Sequence, residues 1–244
     1  MKLKYVLLFV SCIIMAACNT SENLQDDRVE KARQNCLRDI ESELRAIQIP
    51  LGSAVAMVVF KQERIMEIYL QGQNEKWTFL KSIEICAASG DPGRKLVEGD
   101  KQVPEGFYEV KVFNPKSRFH LSMGLNYPND ADRLVADREH PGGDIYIHGG
   151  CQSIGCCALT DEGIEPLYVL CDEARKAGKP APKVMILPCR FDDSNLEWRD
   201  ESFAQWHSFW TGLKQGYDWF KSSSRWPVMS IDPHGNYIFE TELQ

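Results

Sequence analysis

Residues 144–157 read Asp144-Ile145-Tyr146-Ile147-His148-Gly149-Gly150-Cys151-Gln152-Ser153-Ile154-Gly155-Cys156-Cys157. Asp144–His148 is expected to be a strand, and Gly149, Gly150 and Gly155 let the following backbone turn sharply and come close to a substrate. A histidine ending a strand and a cysteine eight residues later on a glycine-rich loop can meet side chain to side chain. A thiol is mostly protonated at neutral pH, so a nucleophilic Cys156 needs a base, and His148 is the nearest candidate. The helix expected to start near Asp161 adds a favourable dipole for negative charge at Cys156. Backbone N–H groups of Gly155 and Cys156, or neighbours such as Gly149, are candidates to hold an oxyanion, and Ser153 is placed to orient the loop.

Three other readings of this stretch compete. His148, Cys151, Cys156 and Cys157 would make a zinc cluster, but adjacent cysteines seldom converge on one tetrahedral ion and no second pair stands at ligand spacing. No metal or cofactor is therefore expected. Cys157 is an alternative nucleophile, disfavoured because the glycine precedes Cys156. His120 alternates with apolar residues and is expected as a half-buried strand histidine; His140, His207 and His234 are expected to be solvated. Tyr127, Arg133, Arg190 and Asp161 are candidate contacts to a peptide, with capping and surface roles preferred for each.

Upstream, apolar and β-branched runs at Ala54–Phe60, Arg64–Leu70 and Trp77–Ile85 predict a β-meander. Asp91–Gly106 is rich in glycine and proline and predicts a loop. Strands are expected at Phe107–Phe113 and Arg118–Asn126. Downstream, Thr160 or Asp161 caps a helix running to about Ala177, closed by Gly178 and Pro180, and Lys183–Pro188 is a strand. Ser194 caps a further helix, on which Trp198, Phe203, Trp206, Phe209, Trp210, Leu213, Tyr217 and Phe220 form an apolar stripe, read as core. Val228–Asp232 and Tyr237–Glu240 form a hairpin.

The N-terminal 17 residues have lysines at 2 and 4, an apolar run from Tyr5 to Ile14 and small residues before Cys18. This is the layout of a secretory signal, too short to span a bilayer. Met15-Ala16-Ala17-Cys18 resembles a bacterial lipobox, with Met15 where Leu is usual, and implies Cys18 as the lipid attachment site; a plain secretory signal is the alternative. Export to the periplasmic face of a bacterial membrane, held there by the lipid, is the expected location. Loss of Lys2 and Lys4 takes the formal charge from −7 to about −9. So acidic a surface repels phosphates and argues against nucleic acid as a partner. Val29, Ala32, Cys36, Ile40, Leu44 and Ile47 predict an amphipathic helix within residues 21–47 that packs on the domain or serves as a stalk. Apart from Cys12, Cys18 and Cys156, six of the nine cysteines remain: Cys36, Cys86, Cys151, Cys157, Cys171 and Cys189. Up to three disulfides and simple apolar burial are both open to them.

Ile147-His148-Gly149 followed by Ser153-Ile154-Gly155-Cys156 resembles the His-Gly and Ser-x-Gly-Cys signature of the L,D-transpeptidase (YkuD-type) catalytic domain. Val103-Pro104-Glu105-Gly106-Phe107-Tyr108 is similar to that family's Pro-x-Gly-aromatic segment, and Tyr127-Pro128-Asn129 with the close His-to-Cys spacing is nearest its YafK-like branch. The resemblance spans about residues 54–190 and rests on several motifs together. It implies an α+β fold, a β-rich catalytic domain with flanking helices. The expected organisation is a signal at 1–17, an N-terminal helix or stalk at 18–50, the catalytic domain at 51–190, and a C-terminal helix and hairpin at 191–244 packed on it. It further implies that Cys156 attacks a diaminopimelate amide in peptidoglycan stem peptides to give a thioacyl enzyme, with His148 as proton carrier. Transfer to an amine is the main expectation. Hydrolysis, trimming stems or releasing wall-attached protein, and non-catalytic wall binding are the alternatives. Ala158 stands two residues after Cys156, where better-known members carry Arg. The oligomeric state is not legible.

Overall fold

The computed structural model describes residues 14–192 and 200–239, with side chains from 28 onward. Most of the expected signal, the side chain of Cys18, Ser194 and Trp198 lie outside the described residues. Among those described, no helix is long and apolar enough to cross a membrane.

Among the described residues, ten strands and four α-helices form in the order α1 (Ile14–Ile47), β1 (Val55–Phe60), β2 (Ile65–Gln71), β3 (Trp77–Glu84), β4 (Gly106–Asn114), β5 (Ser122–Leu125), α2 (Asp130–Val135), β6 (Tyr146–His148), β7 (Cys157–Ala158), α3 (Asp161–Lys176), β8 (Lys183–Leu187), α4 (His207–Ser223), β9 (Met229–Ile231) and β10 (Tyr237–Phe239). Eight strands make one mixed sheet in the order β3-β2-β1-β8-β4-β5-β6-β7, and β9 and β10 make a separate hairpin. The expected meander is β1–β3, joined by antiparallel pairing. β8 then inserts between β1, to which it is parallel, and β4, to which it is antiparallel.

Alternation along the strands sorts the core into two layers, because successive side chains leave a strand on opposite faces. Val55, Met57 and Val59 of β1, with Val184 and Ile186 of β8, Met123, Ile147 and Cys157, pack with α1 and α3. Ala56, Val58 and Phe60, with Met185 and Leu187, face the other way, onto Phe209, Trp210, Leu213, Tyr217 and Phe220 of α4. The aromatic stripe is therefore core over its described length. α1 buries Ala32, Ile40 and Leu44 against the domain, and Arg33 pairs with Glu173 of α3.

The structure departs from the sequence reading at several places, the strand expected at Asp144–His148 among them, which begins only at Tyr146 because Asp144 has φ 53°. The strand expected at Arg118–Asn126 shortens to Ser122–Leu125. His120 adopts φ 65°, and Arg28 Nη1 donates to the carbonyls of Pro115, Ser117 and His120 at 2.8–3.0 Å, which satisfies a bend where a ladder was expected. His120 is thus not a strand residue; its Nε2 lies 2.9 Å from Glu165 Oε1. Two elements were not anticipated. α2 spans only six residues and starts from a capping box between Asn129 and Asp132; β7 has two. The helix after residue 200 opens as a 3-10 turn, Glu201–Trp206, capped by Asp200 before α4 begins.

Candidate active site

β6 and β7 are parallel neighbours with Ile147 opposite Cys157 and His148 opposite Ala158. Ile147 and Cys157 point into the α1/α3 core, so Tyr146 and His148 face the other way, while Cys156 sits in the bend just before β7 with its thiol outside that core. Register thus separates the two adjacent thiols. Cys157 is 1 % exposed, and burial pushes its thiol up to about 12. Cys156 is half-buried; its Sγ accepts from Tyr146 N–H at 3.4 Å and donates to the Asp144 carbonyl at 3.6 Å. Burial raises the Cys156 pKa, the Tyr146 N–H opposes that, and the nearby Asp144 carboxylate adds to it.

His148 ends β6 almost fully buried, its ring 4.8 Å from that of Phe119. Nδ1 lies 2.6 Å from the Gly149 carbonyl. A carbonyl only accepts, so Nδ1 carries the hydrogen and Nε2 keeps its lone pair. Burial lowers the His148 pKa, with the Gly149 bond acting against it. Both shifts favour the neutral imidazole and the neutral thiol. In this state the thiol is held by backbone rather than by His148.

The loop between them is fastened at three points. Asp161 Oδ1 accepts from Gly150 N–H at 2.9 Å; a Cβ on Gly149 would stand 2.6 Å from that same oxygen, so a larger residue there would displace the Asp161 carboxylate. Ser153 Oγ accepts from the N–H groups of Gly155 (3.2 Å) and Cys156 (2.9 Å) and donates to the Cys156 carbonyl (2.7 Å). A disulfide joins Cys151 to Cys86, with Cα atoms 5.5 Å apart, and so ties the loop to the segment that follows β3. The Ala87–Ala158 bridge and the 3.5 Å approach of Ser89 Oγ to Ser153 Oγ reinforce that junction.

The oxyanion candidates are engaged at rest. Gly155 and Cys156 N–H groups bond Ser153, and Gly149 N–H donates to Leu121 O at 3.2 Å. An incoming oxyanion would reach the first two by displacing Ser153 Oγ. Of the six cysteines left open by the sequence, Cys86 and Cys151 pair, while Cys157, Cys171 and Cys189 are buried and Cys36 is half-buried. Asp161 does loop work. Arg133 pairs with Asp130 on α2, and Arg190 Nη2 bonds Glu67 Oε1 at 2.7 Å. Tyr127 donates to the carbonyls of Lys95 and Pro141. These three are held by contacts of their own. Phe119, Ser89 and Cys86 were not singled out as site residues. Only cysteine parity hinted at Cys86, since the others come from elements distant in sequence.

Glu105 of the Pro104-Glu105-Gly106 motif is 1 % exposed. Its carboxylate receives Lys61 Nζ at 2.9 Å, Gly93 N–H at 2.8 Å and Trp210 Nε1 at 2.7 Å. The motif therefore locks the 91–106 loop between the sheet and α4. It is architecture that supports the site.

The catalytic-domain model of the L,D-transpeptidases, YkuD, matches residues 54–186. Over 195 residues the chain is 34 % identical to a protein of Escherichia coli (strain K12) named "Putative L,D-transpeptidase YafK", covering 79 % of this chain and 76 % of that relative. Among solved structures, the helical cell shape determining protein Pgp2 from Campylobacter jejuni matches with a TM-score of 0.46 and 19 % identity, covering 79 % of this chain and 80 % of that one. L,D-transpeptidase 1 of Mycobacterium tuberculosis matches with a TM-score of 0.32 and 13 % identity, covering 55 % and 62 %. On the family-model match and the sequence identity to YafK, this chain belongs to the L,D-transpeptidase (YkuD-type) catalytic-domain family.

Proposed function

We propose that the chain is an exported acyltransferase of peptidoglycan stem peptides, with Cys156 as nucleophile and His148 as general base. The observation that carries this is the β6–β7 register. It turns Cys157 into the core and His148 away from it, leaving Cys156 as the thiol outside the core beside the start of β6, and the Gly149 bond leaves His148 Nε2 as the acceptor nitrogen. In the first step Cys156 Sγ leaves the Asp144 carbonyl, gives its proton to Nε2 and attacks the carbonyl carbon of a diaminopimelate amide. The C–N bond breaks, the leaving amine takes the proton from Nε2, and a thioester remains on Cys156. An amine acceptor then attacks the thioester, loses its proton to His148 and restores the thiol. The Cys86–Cys151 disulfide supports export, because such bonds persist in oxidising compartments. Lipidation at Cys18 remains part of the proposal, as does the periplasmic location.

The test incubates the full chain and its Cys156→Ala variant with peptidoglycan fragments and reads products by mass spectrometry. New crosslinks or exchanged residues, absent with the variant, are expected. Amides cleaved without exchange would replace transfer with hydrolysis. Unaltered fragments with both proteins would overturn the catalytic reading.

A further inference from the structure

A cavity of about 930 Å³ lies where the C-terminal end of α4 meets the hairpin and the edges of β2, β3 and β8. It falls within the range of small-molecule sites, roughly 300–1,000 Å³. Three indoles line it, those of Trp77, Trp219 and Trp226. Trp77 packs edge-on to Trp226 at 6.2 Å, and Lys183 Nζ sits 5.5 Å over the Trp226 ring. Trp219 falls off the apolar stripe of α4 and is half-exposed, so packing with the sheet does not account for it. Polar side chains alternate with these rings, among them the exposed Gln215 and Arg225. The charged lining residues are Glu75 and Asp218 against Lys183 and Arg225, so the cavity carries no formal net charge.

We infer that this cavity binds a neutral amino-sugar chain, the glycan part of the wall polymer; the inference rests on the wall-acting reading above. A pyranose has an apolar face of C–H groups and a rim of hydroxyl and amide groups. The half-exposed Trp219 indole, backed by the packed Trp77 and Trp226, matches the first, and Gln215 and Arg225, the latter 3.4 Å from Glu75 Oε2, match the second. A polyanion or polycation finds no charge surplus here, and the chain as a whole is acidic. The cavity lies on the α4 side of the sheet. Lys183 alternates with the core residue Val184 and points to the α4 side, and β4 and β5 stand between β8 and β6, which ends at His148. Because two strands intervene, a sugar held there does not touch the reacting amide. It retains the polymer and raises the effective concentration of its stems at Cys156.

The experiment titrates the full chain with the β-1,4-linked tetramer of N-acetylglucosamine, followed by calorimetry and tryptophan fluorescence, for wild type, Trp219→Ala and Gln215→Ala. Circular dichroism checks each variant. Saturable binding by wild type is expected, weakened at least tenfold in Trp219→Ala and at least threefold in Gln215→Ala. KM for intact sacculi should rise with kcat unchanged, while acylation of Cys156 by a sugar-free stem peptide stays at the wild-type rate. No saturable binding by wild type, or equal binding by both variants, would overturn the inference, as would competition for the cavity by the stem peptide alone. If Trp219→Ala alters the circular dichroism, the exposed Gln215 position decides. Failure of Cys156 to be acylated by the stem would count against the proposed function alone, since the tetrasaccharide titration reads the cavity independently.

Discussion

Cys86 and Cys151 are covalently joined across 65 residues of sequence, and Cys151 stands in the loop that separates His148 from Cys156. The bond therefore fastens the reactive loop to the segment after β3, whose Ser89 approaches Ser153. In the chain-entropy account, a crosslink closing a loop of that length constrains the unfolded state by roughly 4 kcal/mol.

Cys86→Ser is expected to lower stability by about 2–4 kcal/mol and to cut acyl transfer, because the loop loses one of its three fastenings. Chemical denaturation, together with thioester formation on Cys156, checks this. Full activity in a measurably destabilised variant would show that the bond serves stability alone.

The two adjacent thiols should differ in reactivity. Cys156 is half-buried and Cys157 fully buried, with its thiol pushed up to about 12. Iodoacetamide is expected to label Cys156 first, slowly at pH 7 and faster as pH rises, because burial holds its pKa above that of an exposed thiol. Peptide mapping of the labelled protein reads the site, and preferential labelling of Cys157 would contradict the β6–β7 register. A base must be neutral to work, and burial holds His148 below the ordinary value of about 6.5. The acid limb of kcat/KM for a stem peptide is thus expected below that value.

Ser153→Ala removes the hydroxyl that makes three bonds with Gly155 and Cys156. The loop loses its internal brace, and kcat is expected to fall at least tenfold, a cost of about 1.4 kcal/mol in the barrier, with the fold intact by circular dichroism. An unchanged kcat would mean that the Cys86–Cys151 bond and the Asp161 contact position Cys156 without it.

Asp132 is 2 % exposed, accepts from Tyr108 Oη at 3.1 Å and from Asn129 N–H at 3.0 Å, and is raised to about 6 by burial. In the unfolded chain it returns to about 3.9. The folded form thus binds the extra proton between those values, and its contribution to stability is full below about 4 and lost as pH rises through about 6. The loss is on the order of 2–3 kcal/mol. Asp132→Asn should gain stability relative to wild type between pH 4 and 7, read by urea denaturation at each pH. A difference that does not vary with pH would show that Asp132 titrates normally.

The sequence by itself determined whatever is local. The His148–Cys156 loop, the Thr160 cap of α3, the amphipathic α1, the strands of the meander and the hairpin are each specified within about twenty residues by side-chain period and turn chemistry. Short elements escaped because periodicity needs length. Two residues of β7 show none, and α2 announces itself only through the Asn129–Asp132 cap. Tertiary structure decided what depends on partners far along the chain. Pairing with Ile147 and Ala87, not the local sequence, turns Cys157 inward and Cys156 outward. The joining of Cys86 to Cys151 requires β3 to end beside β7, and parity of cysteines cannot fix that. The carboxylate of Glu105 becomes a buried anchor only once Lys61 and Trp210, 44 and 105 residues away, converge on it. A buried charge is tolerated only when such partners are supplied, and supplying them is a property of the whole fold.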